Sequence, residues 1–170
     1  LHNRINTTYY ASDNFSAHFE FRNQFLWGET VNMTPGYAEN FSRDKGVVDL
    51  NWNWFSTDNT IFNTQVDRAY VNYTEDNMEF IFGRQRINWG RSLVWNPNDI
   101  FNAYSYYDFD YPEKPGADAL RAIYYTGSAS ALEFATKIDS ANNLTVAGLY
   151  KTNKGGYDFQ FLGGYANSED

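Results

Sequence analysis

The sequence predicts an all-β chain, an antiparallel up-and-down β-barrel that spans a membrane, present in part as about 8–10 strands of a larger barrel. Three observations predict it. Aromatic residues make up 19% of the chain while the mean hydropathy stays polar at -0.63, a mixture that suits strands with one apolar and one wet face. Hydrophobic and polar residues alternate with period two along most of the length. The connections between alternating stretches fall into a short class and a long class.

The clearest strand runs from Phe15 to Trp27. One face carries Phe15, Ala17, Phe19, Phe21, Asn23, Phe25 and Trp27, and the other carries Ser16, His18, Glu20, Arg22, Gln24 and Leu26. A tilted strand of this length crosses a bilayer. Val48, Leu50, Trp52 and Trp54 alternate with Asp49, Asn51 and Asn53, and Tyr157, Phe159 and Phe161 alternate with Asp158, Gln160 and Leu162. Weaker patterns place strands over 1–10, 64–73, 78–86, 119–125, 131–137 and 144–152. Residues 11–14, 74–77 and 126–129 read as tight turns, whereas 28–46 and 87–118 are long, as in barrels with short turns at one rim and long loops at the other. No amphipathic helix is expected. Aromatic rings gather near strand ends, at Tyr9, Tyr10, Trp27, Trp54, Phe55, Tyr73, Tyr150, Tyr157 and Tyr165, where interface girdles would lie.

Two features of this reading do not close. Nine strands is an odd number, and the up-down parity around residues 56–66 puts one long loop at the wrong rim, which points to a misread strand there. The stretch Tyr165–Asp170 reads as loop, so further chain or a partner is expected to complete the barrel, of which residues 1–170 form a single domain covering roughly the first half. A soluble antiparallel sandwich is the competing fold. It would need shorter strands and less aromatic outer faces.

Composition narrows the chemistry. No apolar run reaches the roughly 18 residues of a spanning helix, and the start lacks the basic and apolar regions of a signal peptide, so the chain reads as mature or trimmed. Cysteine is absent, which removes disulfides and thiolate metal sites. A net charge of -8 with scattered basic residues argues against a nucleic-acid partner. His2 and His18 are the only histidines, so neither a metal site nor a cofactor is expected, and His18 among Ser16, Glu20 and Arg22 reads as part of a solvated network. Asp99, Asp108, Asp110 and Glu113 lack calcium-loop spacing, and no phosphate-binding glycine loop or nucleophile elbow occurs. The chain is not expected to be an enzyme.

The stretch from Asp67 to Tyr125 is the most specific. It contains Gly83-Arg84-Gln85, then Asn88-Trp89-Gly90, Asn96-Pro97-Asn98-Asp99 and Pro115-Gly116-Ala117-Asp118. In this order the elements resemble those of porin-type outer-membrane barrels of a Bacteroidota-type group. The resemblance covers about a third of the chain closely, and the rest by pattern. It implies a bacterial outer-membrane location, contact with lipid and lipopolysaccharide, and a channel that passes small hydrophilic solutes by diffusion. It also implies that the loop over 87–118 folds into the lumen and narrows it. The charges there make physical sense of that: Arg84, Arg86 and Arg91 stand against Asp99, Asp108, Asp110, Glu113 and Asp118, with Arg121 beyond, and would set up a transverse field. Charge reversal at Asp108 and Asp110 would then alter ion selectivity. The bland reading is that these groups only pin the loop to the wall. His18, Glu20, Arg22, Arg68 and Glu133 would line the lumen wall. Strict alternation, however, puts Arg84 and Arg86 on the face of Phe80 and Phe82.

Two other functions remain open at this stage. A non-conducting barrel could serve as an accessory or structural subunit of an outer-membrane complex, or as a homo-oligomer, since alternation encodes the barrel and not its traffic. The soluble alternative would be a carbohydrate-binding sandwich, released from cells without detergent.

Overall fold

The protein was analysed as a computed structural model that describes residues 1–33, 36, 39, 42, 44, 46–90, 98, 100–101 and 116–167, the side chains of 30 and 32 excepted. Its strands are β1 (His2–Tyr10), β2 (Phe15–Trp27), β3 (Asn51–Thr57), β4 (Thr60–Glu75), β5 (Met78–Gln85), β6 (Ala117–Gly127), β7 (Ser130–Ile138), β8 (Leu144–Lys154) and β9 (Tyr157–Ala166). All pairings are antiparallel and form one sheet in the order β1-β2-β4-β5-β6-β7-β8-β9, which is not closed. One short helix, α1 (Glu29–Met33), follows β2. Alternation predicts no helix there, because five residues are too few to show a helical period.

β3 resolves the parity conflict. It lies off the main path and pairs with residues 60–65 of β4, while β5 takes the same edge of β4 at residues 69–75. β2 and β3 therefore run in the same direction, and the connection between them returns from the rim to mid-height. Eight strands alternate up and down, with β3 as a half-length addition. Residues 11–14, 76–77, 128–129 and 155–156 make short turns at one rim. The connections over 28–50, 86–116 and 139–143 leave from the other.

Two bulges adjust which side chains share a face. On β4, Glu20 pairs with Arg68 and Phe21 with Val66, so Asp67 is the extra residue and the alternation changes phase. Ile61, Asn63 and Gln65 thus share a face with Arg68, Tyr70 and Asn72. On β3, Trp54 is the extra residue between the pairs Asn53–Asn63 and Phe55–Phe62, which puts Phe55 on the same side as Trp52.

The two faces differ sharply. One carries Phe19, Trp52, Trp54, Phe80, Phe82, Leu132, Phe134, Phe159 and Phe161, and all of these are exposed, with Phe82 65% and Trp54 66% accessible. Phe21 is half-buried there among its aromatic neighbours. A groove of about 320 Å³ on this face is lined by Phe19, Phe21, Trp52, Trp54, Thr64 and Val66. The other face carries the buried Arg22, Gln24, Asn63, Asp67 and Glu133. One apolar cluster there consists of Ala119, Ala135, Ala147 and Leu149 packed with Ile87, Trp89 and Phe101, the last three from the connection between β5 and β6. These three described residues lie over the polar face, and a second cluster of Ile81, Ile123 and Ala131 with Tyr70 packs within the sheet itself.

Candidate functional site

The polar face is the candidate site, and its charged groups are ordered by cross-strand pairing. Arg68 on β4 donates to Glu20 on β2 at 3.2 Å, across a pair in direct register. One residue along the chain, Asp67 accepts from Arg4 of β1 at 3.0 Å and stands 3.7 Å from Arg22 of β2. The bulge at Asp67 is what allows this carboxylate and the Arg68 guanidinium to face the same way. His18 stacks on Tyr70, its register partner, with ring centroids 4.6 Å apart, and hydrogen-bonds Thr8 and Ser16. The expected wall residues His18, Glu20, Arg22 and Arg68 are therefore neighbours on β2 and β4.

Glu133 centres a second cluster. Its carboxylate is 1% exposed and accepts from Arg121 on β6 and Lys151 on β8, each at 2.5 Å, and from the indole N–H of Trp89 at 2.8 Å. Two cations around one buried carboxylate offset its loss of hydration. Trp89 meets Phe101 edge to face with centroids 5.0 Å apart, and Lys137 donates to the Phe101 carbonyl at 2.8 Å. The described parts of the long connection are thus held down by a carboxylate at one point and an ammonium at another.

Arg84 and Asp118 do not join these groups. They pair with each other across β5 and β6 on the face of Phe82 and Leu120, opposite to Arg121 and Glu133. Alternation places Arg84 there, and the structure supplies its partners. Nε and Nη2 donate to Asp118, Nη1 to Asp44 at 2.6 Å and to the Val66 carbonyl, and Nη2 to the Val48 carbonyl at 2.8 Å. The residue is 4% exposed. It fills the gap on the edge of β4 where β3 stops and β5 begins. The resemblance grouped Arg84 and Asp118 with Arg121 around one constriction, whereas the fold separates them by the thickness of the sheet. Arg86 is half-buried just beyond the end of β5. Arg91, Asp99, Asp108, Asp110 and Glu113 lie outside the described residues.

Lys151, Asp67, Arg4 and Asp44 were not singled out from the sequence, and Trp89 entered only within the Asn88-Trp89-Gly90 element, not as a partner of Glu133. Asp67 could have been found, because an acid in a strand whose alternation slips marks a bulge. Lys151 and Trp89 reach Glu133 through long-range pairing, for which periodicity holds no signal. Comparison of the chain with family models, curated proteins and solved structures gives no match.

Proposed function

We propose that this chain forms part of the wall of a porin-like channel of a bacterial outer membrane, through which small hydrophilic solutes diffuse. One observation carries the reading: a single sheet bears a broad exposed aromatic and aliphatic face, on which Arg84 is buried in a pair with Asp118, and gathers Glu20, Arg22, Asp67, Arg68, Arg121 and Glu133 on the reverse. Exposed apolar patches on soluble monomers are much smaller. In a sandwich, Phe19, Trp54, Phe80 and Phe161 would converge on a second sheet, and among the described residues they are exposed instead. Strands of 8 to 16 residues along the main path suit a tilted crossing of the hydrocarbon. The apolar face would meet lipid and lipopolysaccharide, and the polar face would meet water and solutes.

Reconstitution of the intact protein in planar bilayers tests this. Discrete conductance steps that admit small ions and sugars are expected, and insertion without any conductance would overturn the channel reading. The packing of Ile87, Trp89 and Phe101 over the wall favours one second reading, a filled barrel acting as an accessory subunit of an outer-membrane complex. It would show itself by that silence together with stoichiometric co-purifying partners.

A further inference from the structure

One lateral row of the polar face crosses most of the sheet: Ser16, Asn72, Ile81, Arg121, Ala135 and Ala147 are successive register partners from β2 to β8. These six residues project to the same side, yet their burial changes along the row. Ser16 and Asn72 are partly open, whereas Ile81, Ala135 and Ala147 are 7%, 0% and 2% exposed. At Ala135 and Ala147 the burial comes from the cover made by Ile87, Trp89 and Phe101, which also packs on Ala119 and Leu149, whereas Ile81 is buried with Ile123 and Ala131. The covered wall residues are mostly alanine, the open part carries the ion pair Glu20–Arg68, and Arg22, Gln24, Asn63 and Asp67 farther along β2 and β4 are buried.

We infer that the polar face is divided into two sectors, an open, wet one around Ser16, His18, Glu20 and Arg68 at the short-turn end of β2 and β4 and a dry one on β6–β8, and that Glu133 is the positioning residue that keeps the second sector dry. The inference rests on the channel reading and deepens it. Glu133 touches no solute in this arrangement. It acts through Trp89, whose indole N–H it accepts while Arg121 and Lys151 hold its charge in place. Without that acceptor the indole N–H would be buried with no partner, and the cover would gain by opening toward water. Selectivity would then be set by Glu20 and Arg68, and substitutions at Glu133 would act on how often the cover opens.

The sequence contains no cysteine, so single cysteines give an unambiguous reading with a charged, water-soluble thiosulfonate. The intact protein in bilayers and in proteoliposomes would carry Thr8→Cys or Ser16→Cys in the wet sector, and Ala135→Cys or Ala147→Cys in the dry one. Thr8→Cys and Ser16→Cys should react quickly and lower the current. Ala135→Cys and Ala147→Cys should react more slowly by about tenfold or more, the ratio expected when a packed cover must open first. Adding Trp89→Ala or Glu133→Ala should remove that protection. Glu133→Gln, which retains an oxygen for the indole, should restore it. Equal reaction rates at Ser16→Cys and Ala135→Cys with Trp89 in place would overturn the division. Protection unchanged by Glu133→Ala would overturn the role of Glu133. If the labelling pattern appears and no variant conducts, the cover stands while the channel reading, and with it the solute path, fails.

Discussion

Arg84 and Asp118 meet side-on, with Nε to Oδ1 at 2.9 Å and Nη2 to Oδ2 at 3.1 Å, on the face of the sheet that otherwise bears Phe82 and Leu120. A guanidinium on such a face survives because each of its three nitrogens donates to an acceptor, from four separate places in the chain. Gly46 packs so tightly against it that a Cβ there would come within 1.9 Å of Nη2. Replacing Arg84 by Ala would leave Asp44 and Asp118 buried beside each other without a cation, a loss of about 3–5 kcal/mol. Arg84→Lys should lose less, since it keeps the charge and forfeits the paired geometry. Chemical unfolding of the reconstituted protein measures both, and an Arg84→Ala variant as stable as the parent would contradict this account.

Gly83 is the next test of the same junction. Its φ of +117° is a conformation that L side chains rarely adopt, and a Cβ would lie 2.4 Å from the Ala69 carbonyl oxygen. Gly83→Ala should therefore destabilise by about 1–3 kcal/mol and shift the β4–β5 pairing. Amide exchange at Ala69–Val71 would report the shift, and unchanged protection there would argue against it.

Tryptophan quenching separates the two faces. Trp52 and Trp54 are 48% and 66% exposed on the apolar face, and Trp89 is 3% exposed beneath the connection. In single-tryptophan variants, acyl chains brominated in the hydrocarbon region should quench Trp52 and Trp54, while Trp89 should be quenched by neither bromolipid nor aqueous iodide. Iodide quenching of Trp52 with no bromolipid effect would mean that this face meets water.

A pH prediction concerns Asp139, in the turn between β7 and β8. Partial burial pushes its carboxyl up, but hydrogen bonds from the Asn143 backbone, the Asn143 side chain and the Ala141 backbone, with Lys137 nearby, outweigh this and hold it below the usual carboxylate range. A folded-state value below the unfolded one means that the contribution to stability is complete above the ordinary Asp value of about 3.9 and is lost as pH falls through the lower folded value. Asp139→Asn keeps an acceptor oxygen and removes the titration. The stability difference between variant and parent should hence narrow from neutral pH to below about 3. A constant difference would show that the carboxylate charge has no part in the turn.

The sequence made much of this fold legible because faces are local properties. The thirteen residues of β2 sort onto two faces as their alternation says, and Phe19, Phe80, Phe159 and Phe161 are exposed where alternation turns them outward. Edges are not local. That β3 and β5 share one edge of β4 depends on pairings between Trp52 and Thr64 and between Phe82 and Val71, which no periodicity states. The bulge at Asp67 hid the sixteen-residue length of β4 by changing its phase midway, so Thr60–Asn63 did not join the strand recognised from Thr64 onward. In the site, Glu20 and Arg22 were grouped because they share the polar face of the clearest strand, and Arg68 because it lies in the weaker pattern that turns out to pair with it. Of the two acidic partners of Arg84, Asp118 was among the acids set against it, whereas Asp44 comes from a long connection, and nothing near Asp44 marks it except a short turn closed by its own side chain onto Gly46.

The unequal rims of the sheet carry a directional consequence. One rim is trimmed to turns of two to four residues at 11–14, 76–77, 128–129 and 155–156, while the other bears the polar connections over 28–50 and 86–116. For strands entering a bilayer, dragging a two-residue hairpin across the hydrocarbon costs far less than dragging a long hydrated loop. If the sheet spans a membrane as proposed, its long connections, once across, would not be drawn back, and the two rims would stay on opposite sides. Sidedness would in this way be held by loop length, and reversing it would take a rearrangement of the connections rather than a change of charge.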